Sequence, residues 1–155
     1  MEKFEIKNRY NLKIIGELYK NPDSIGLAFV EHGLGGIKEH PHIVAIVNAL
    51  IKNGYTVVNF DATNSYGESG GKYEDATMQK HYEDLVDVVE WAKRQNWYKE
   101  PFVLAGHSLG GYSVAKYAEE YPIEVKAVFP FGLVVSGDLS YKAHEMYGSD
   151  ELKKW

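Results

Sequence analysis

A short apolar run, Val103-Leu104-Ala105, ends in Gly106-His107-Ser108-Leu109-Gly110-Gly111, and an amphipathic segment follows at once. No other stretch limits the possible folds so sharply. Gly106 and Gly110 flank the serine because a Cβ there would crowd so tight a turn. A strand that turns directly into a helix lifts the Ser108 side chain above the sheet. It also points the first N–H groups of the helix at whatever stands in front of it. A serine hydroxyl is a poor nucleophile unless it is held exposed, beside a base, facing N–H groups that receive developing negative charge. Gly-x-Ser-x-Gly alone is a weak pattern. The strand before it and the helix after it make it specific.

The rest of the chain supplies a sheet for that turn to stand on. Phe4-Glu5-Ile6-Lys7 and part of residues 12–19 alternate apolar and polar side chains around Asn8-Arg9-Tyr10-Asn11. This pattern predicts an antiparallel hairpin on one edge of a sheet. Residues 25–30, 55–60, 101–105 and 125–131 are largely apolar throughout, as in strands buried on both faces. Between them, residues 37–53, 77–95 and 109–120 carry apolar side chains at helical spacing. The order β-β-β-α-β-α-β-α-β predicts an α/β fold, a mostly parallel sheet with helices on both faces. Ligands in such sheets bind at the carboxyl ends of the strands. The Gly-rich loop at His32, the Asp61 loop and the Ser108 turn all fall on that edge.

The chain has 155 residues, 45% hydrophobic and 25% charged, the balance of one ordinary globular domain. A net charge of −5 and the lack of any Lys/Arg run argue against a nucleic-acid partner. The chain has no cysteine, which excludes disulfides, thiolate metal sites and a cysteine nucleophile, and fits a cytoplasmic setting. The first residues are charged and show no signal peptide, and no apolar run approaches membrane-spanning length. No membrane partner is expected. Residues 1–135 read as the core domain and 136–155 as the start of a lid or cap. Gly148-Ser149-Asp150 looks like a break and an N-cap, yet only five residues follow, far short of the ~12 that a helix needs alone. The chain reads as cut within an element.

Three motifs in order carry a resemblance. They are His32-Gly33-Leu34-Gly35-Gly36 after the third strand, Asp61 with Tyr66-Gly67-Glu68-Ser69-Gly70-Gly71 after the fourth, and the Ser108 turn after the fifth. The sequence resembles the α/β-hydrolases, in the serine esterase and acylaminopeptidase-like branch that includes cinnamoyl and feruloyl esterases. The resemblance implies a three-layer sandwich whose last strands are missing here, and Ser108 as the catalytic nucleophile. It implies the backbone N–H groups of Leu34 and Leu109 as oxyanion donors, no cofactor, no metal, and a small ester as substrate. The family's acid and histidine follow later strands, so they are expected outside this chain. The protein would then need a C-terminal partner segment, or form a homo-oligomer. Two other readings stay open: a non-catalytic fragment that associates with a partner chain, and a thioesterase or peptidase of the same fold.

Plainer roles are expected for the other candidates. Asp138 and His144 follow Ser108 in triad order, but a turn residue and a solvated helix residue are favoured over a self-contained triad. His107 reads as a packing or pocket-lining residue, His32 as a structural histidine of its loop, and Asp61 as a residue that ties its loop to the backbone. His40 and His42, at i, i+2 on a helix, would face different ways and hold no metal. Glu83, Asp84, Asp87 and Glu90 read as a solvated helix face. On the reading as a fragment that associates with a partner, the last strand, residues 125–131, would show an open edge and an uncovered apolar face.

Overall fold

The computed structural model describes residues 1–134 and Lys142. In chain order it contains β1 (Glu2–Lys7), β2 (Lys13–Tyr19), β3 (Gly26–Glu31) and α1 (Pro41–Lys52). Then come β4 (Tyr55–Phe60), a 3-10 turn at Tyr73–Asp75, α2 (Met78–Ala92), β5 (Phe102–His107), α3 (Leu109–Glu120) and β6 (Val125–Phe131). The order matches the one expected, with the 3-10 turn added inside the polar loop. The expected lid segment, including Asp138 and His144, lies outside the described residues.

The six strands form one sheet in the order β1-β2-β4-β3-β5-β6. β1 pairs antiparallel with β2, and β2 with β4, so the hairpin sits at one edge. The β3–β4, β3–β5 and β5–β6 pairs are parallel. Side chains along a strand alternate between faces. Leu27 and Phe29 of β3 and Phe102 and Leu104 of β5 join Leu85, Val88 and Val114 in a core beneath α2 and α3. Ala28, Val30, Val103 and Ala105 point the other way and pack with Ile43 and Val47 of α1. Both faces of the central strands are therefore buried, which is why these runs are apolar at every position.

One helix start differs from the periodicity. α1 begins at Pro41, not at Ile37. His40 has φ −56° and ψ 136°, the extended conformation that a following proline imposes, so no helical turn precedes it. α2 begins after Thr77, whose side chain accepts the Lys80 N–H as an N-cap. The acidic face of α2 is only partly solvated. Asp84 is buried and accepts hydrogen bonds from Asn8 Nδ2 (2.7 Å), Thr63 N (2.6 Å) and Thr63 Oγ1 (2.7 Å). The helical spacing could not reveal this, because the donors come from the hairpin turn and the loop after β4.

β6 closes the other edge of the sheet. Its Phe129 and Phe131 are 48% and 45% exposed beside an apolar cavity of about 350 Å³ that includes Ile46, Leu50 and Ala105. The uncovered face expected for this strand on the fragment reading is present among the described residues.

Phe29 is fully buried and stacks edge-on against Phe102, 5.0 Å between ring centroids. Phe29→Ala is expected to lower unfolding free energy by about 3–5 kcal/mol, read from the urea midpoint. A loss below about 1 kcal/mol would show that this pair does not anchor the core.

Candidate active site

The direction of strand addition reverses at β3. From β3 the chain crosses to β4 on one side, then returns to β5 on the other. The helices that follow β3 and β5 lie on opposite faces of the sheet. Their connecting loops diverge, and the crevice between them is where open α/β sheets bind ligands. The His32-Gly33-Leu34 loop and Ser108 stand on its two sides.

Ser108 has φ 54° and ψ −114°, a left-handed backbone that costs a non-glycine residue of order 1–3 kcal/mol. Its N–H donates to the Phe131 carbonyl at 2.8 Å, and its own carbonyl accepts the Tyr112 N–H at 3.1 Å. A Cβ on Gly106 would lie 2.2 Å from the Gly110 oxygen, and one on Gly33 would lie 2.9 Å from the Ser108 Cβ. The backbones of the two loops thus meet at van der Waals distance.

Ser108 and Leu34 line one cavity of about 200 Å³ with Gly33, His40, His42 and His107. Leu109 opens α3 directly after Ser108, with its side chain buried. Neither the Leu34 nor the Leu109 N–H donates to any described residue. His107 lines the cavity, as expected. His40 and His42 do not face apart. His40 lies outside the helix, its ring centroid is 5.5 Å from that of His42, and His42 is 4.4 Å from His107. The extended His40 backbone removes the helical offset that the i, i+2 spacing implied. Among the described residues no group of three or more His, Cys, Asp or Glu is arranged to hold a metal ion.

Two buried histidines hold the loop that carries Leu34. The Ala62 N–H donates to His32 Nε2 at 3.0 Å, so the proton sits on Nδ1, which donates to the Gly33 carbonyl at 2.7 Å. His81 of α2 donates from Nε2 to the His32 carbonyl at 2.8 Å. Burial pushes the pKa of His32 down to about 4 and that of His81 down to about 3. Both are neutral at physiological pH. Glu31, buried beneath the same turn, has no hydrogen-bond partner for either carboxyl oxygen among the described residues. Burial, and then the charge of Asp84, raise its pKa well above the usual carboxylate range.

On the other side, Asp61 accepts the Lys38 and Glu68 backbone N–H groups at 2.7 and 2.9 Å. The Lys38 side chain is fully buried, with its ammonium 3.0 Å from Asp61 and 2.6 Å from both Glu68 and Glu39. Burial alone would lower the Lys38 pKa, but the hydrogen bonds to Glu39, Glu68 and Asp61 hold it above its ordinary value. Gly67 packs on the Asp61 carboxylate, where a Cβ would come within 2.2 Å. The sequence offered no sign of the roles of Lys38, His81 or Glu31, beyond an isolated charge beside a glycine-rich loop in the case of Lys38.

Residues 26–147 match the family described as serine aminopeptidase, S33. The chain belongs to this family. Its fold matches other α/β-hydrolases. Est1E from Butyrivibrio proteoclasticus, solved with ferulic acid bound, is 30% identical at a TM-score of 0.79, over 90% of this chain and 56% of that one. The esterase Pf2001 of Pyrococcus furiosus is 25% identical at a TM-score of 0.83, over 94% and 57%. A 1-acylglycerol-3-phosphate O-acyltransferase of Arabidopsis thaliana is 30% identical over 74% of this chain and 29% of its own. The S33 chain therefore spans little more than half the length of these solved structures. No helix among its described residues is long and apolar enough to cross a membrane.

The two buried histidines of this S33 hydrolase each favour loss of stability in acid, whereas Asp84 and Glu31, both raised by burial, oppose it. Unfolded, both histidines titrate near 6.5, so below that pH the unfolded state binds more protons than the folded state. Stability present above about pH 6.5 is lost as pH falls, by about 1.4 kcal/mol per pH unit for each group. Asp84, raised by burial to about 6, acts with the opposite sign across the same window. His81→Gln is expected to make the urea midpoint fall less steeply than in the parent between about pH 6.5 and 4.5. Equal slopes would show that His81 is not held neutral. A separate test concerns the loop contact. Gly110→Ala would set a Cβ 2.4 Å from the His32 oxygen, and should cost over about 2 kcal/mol of stability. An unchanged thermal midpoint would mean that the loops are not in contact.

Proposed function

We propose that Ser108 is the nucleophile of a carboxylic ester hydrolase that works through an acyl-enzyme. The observation that carries this reading is the left-handed Ser108 backbone at a strand-to-helix turn, facing the Gly33-Leu34 loop across a small cavity. Ser108 Oγ attacks the ester carbonyl while a base takes its proton. The carbonyl oxygen becomes an oxyanion held by the Leu34 and Leu109 N–H groups. The alcohol leaves with the proton, and water then hydrolyses the acyl-enzyme to release the acid and free the serine.

Family membership and the relatives named as esterases support a hydrolase. The catalytic acid and histidine are assigned to sequence outside this chain, supplied by a C-terminal segment. The partner is a small ester, no cofactor is invoked, and the absence of cysteine fits a cytoplasmic setting. The curated relative named as an acyltransferase favours one second reading: the same acyl-enzyme passed to an alcohol rather than to water.

In the complete protein, with its C-terminal part present, Ser108→Ala should abolish labelling by a fluorophosphonate probe, and labelling that persists in the variant removes Ser108 as nucleophile. The 155-residue chain should hydrolyse p-nitrophenyl acetate only weakly, within the ~10³–10⁴-fold over water that an oxyanion hole and binding leave when a triad member is lost. Robust turnover by the chain alone would place the base within it.

A further inference from the structure

The cavity in front of Ser108 is lined by three imidazoles and by no carboxylate. His40 and His42 come from the start of α1, and His107 from the end of β5. Their rings follow one another at 5.5 and 4.4 Å between centroids, and all three retain exposure to solvent. Burial, and then the neighbouring His42 and His40, lower the His107 pKa.

Carboxylates that would oppose this lowering are engaged elsewhere. Glu39, next in the chain to His40, lies 2.6 Å from the Lys38 ammonium, and Asp61 and Glu68 face the same cation. The first turn of α1 has no acidic residue. Among the described residues, histidine contacts to carboxylates involve only His32 and His81. The cluster is thus a set of N–H donors with no internal counter-ion, opening on the same cavity as the serine hydroxyl.

We propose that His40, His42 and His107 form a subsite for an anionic group, a carboxylate or a phosphate, carried by the ester that Ser108 attacks. Neutral imidazole offers one N–H and imidazolium two, so the cluster donates hydrogen bonds to an anion in either state and attracts it more strongly when protonated. Esters bearing such a group are the substrate class selected over neutral ones. The assignment to substrate rests on Ser108 as the nucleophile. Binding of the anion does not.

The test follows histidine ring signals of the whole chain by NMR while inorganic phosphate or acetate is added, with ionic strength held constant by sodium chloride. The His42 and His107 signals, assigned with His42→Gln and His107→Gln, should shift and saturate. At one pH, Kd should rise about tenfold when His42 and His107 are both replaced by Gln. Saturation by phosphate, by acetate or by both supports the subsite and names the anion it prefers. The same shifts in Ser108→Ala keep this result separate from the nucleophile assignment, which fluorophosphonate labelling decides. No saturable shift with either anion overturns the subsite. So does an unchanged affinity in the His42→Gln/His107→Gln variant.

Discussion

A Cβ on Gly110 would stand 2.4 Å from the His32 carbonyl oxygen and 2.5 Å from that of Glu31. The first turn of α3 therefore lies directly against the end of β3, closer than any side chain allows. The other parts of the site depend on this approach. Because β3 and β5 are parallel neighbours, their carboxyl ends finish side by side. Because Gly110 and Gly33 lack side chains, the two turns can close on each other without displacing the serine. The left-handed backbone of Ser108 is then held by Phe131 from the adjacent strand, so its strain is borne by the sheet rather than relaxed.

Buried polar groups keep the loops in place around that contact. His32 links its own loop to Ala62, and His81 reaches across from α2 to the His32 carbonyl. Lys38 gathers Asp61, Glu68 and Glu39 around one ammonium, which joins the loop after β3 to the loop after β4. Such groups are costly to bury alone and tolerable only when each finds its partners. Among the described residues the exceptions are both carboxyl oxygens of Glu31 and Asn59 Oδ1, buried without a hydrogen bond.

Much of the architecture was legible from the residues in order. Strands buried on both faces are apolar at every position, amphipathic helices repeat at their own spacing, and glycines mark a turn too tight for a Cβ. These signals act over a few neighbours, so local sequence carries them. The placement of Ser108, Leu34 and Leu109 at one edge followed from element order together with the resemblance to a family.

The errors share one cause. Asp84 looked solvated because its helical neighbours are charged, but its donors, Asn8 and Thr63, lie far away in the chain. Lys38, His81 and Glu31 had no local signature, because a buried charge or imidazole is defined by what packs over it. His40 and His42 were read by helical offset, whereas a proline keeps His40 outside the helix and the β5 strand brings His107 against His42. Short-range pattern is written in consecutive residues and survives without the fold. The electrostatic partners of a side chain come from segments tens of residues apart, so they exist only once the sheet has brought those segments together.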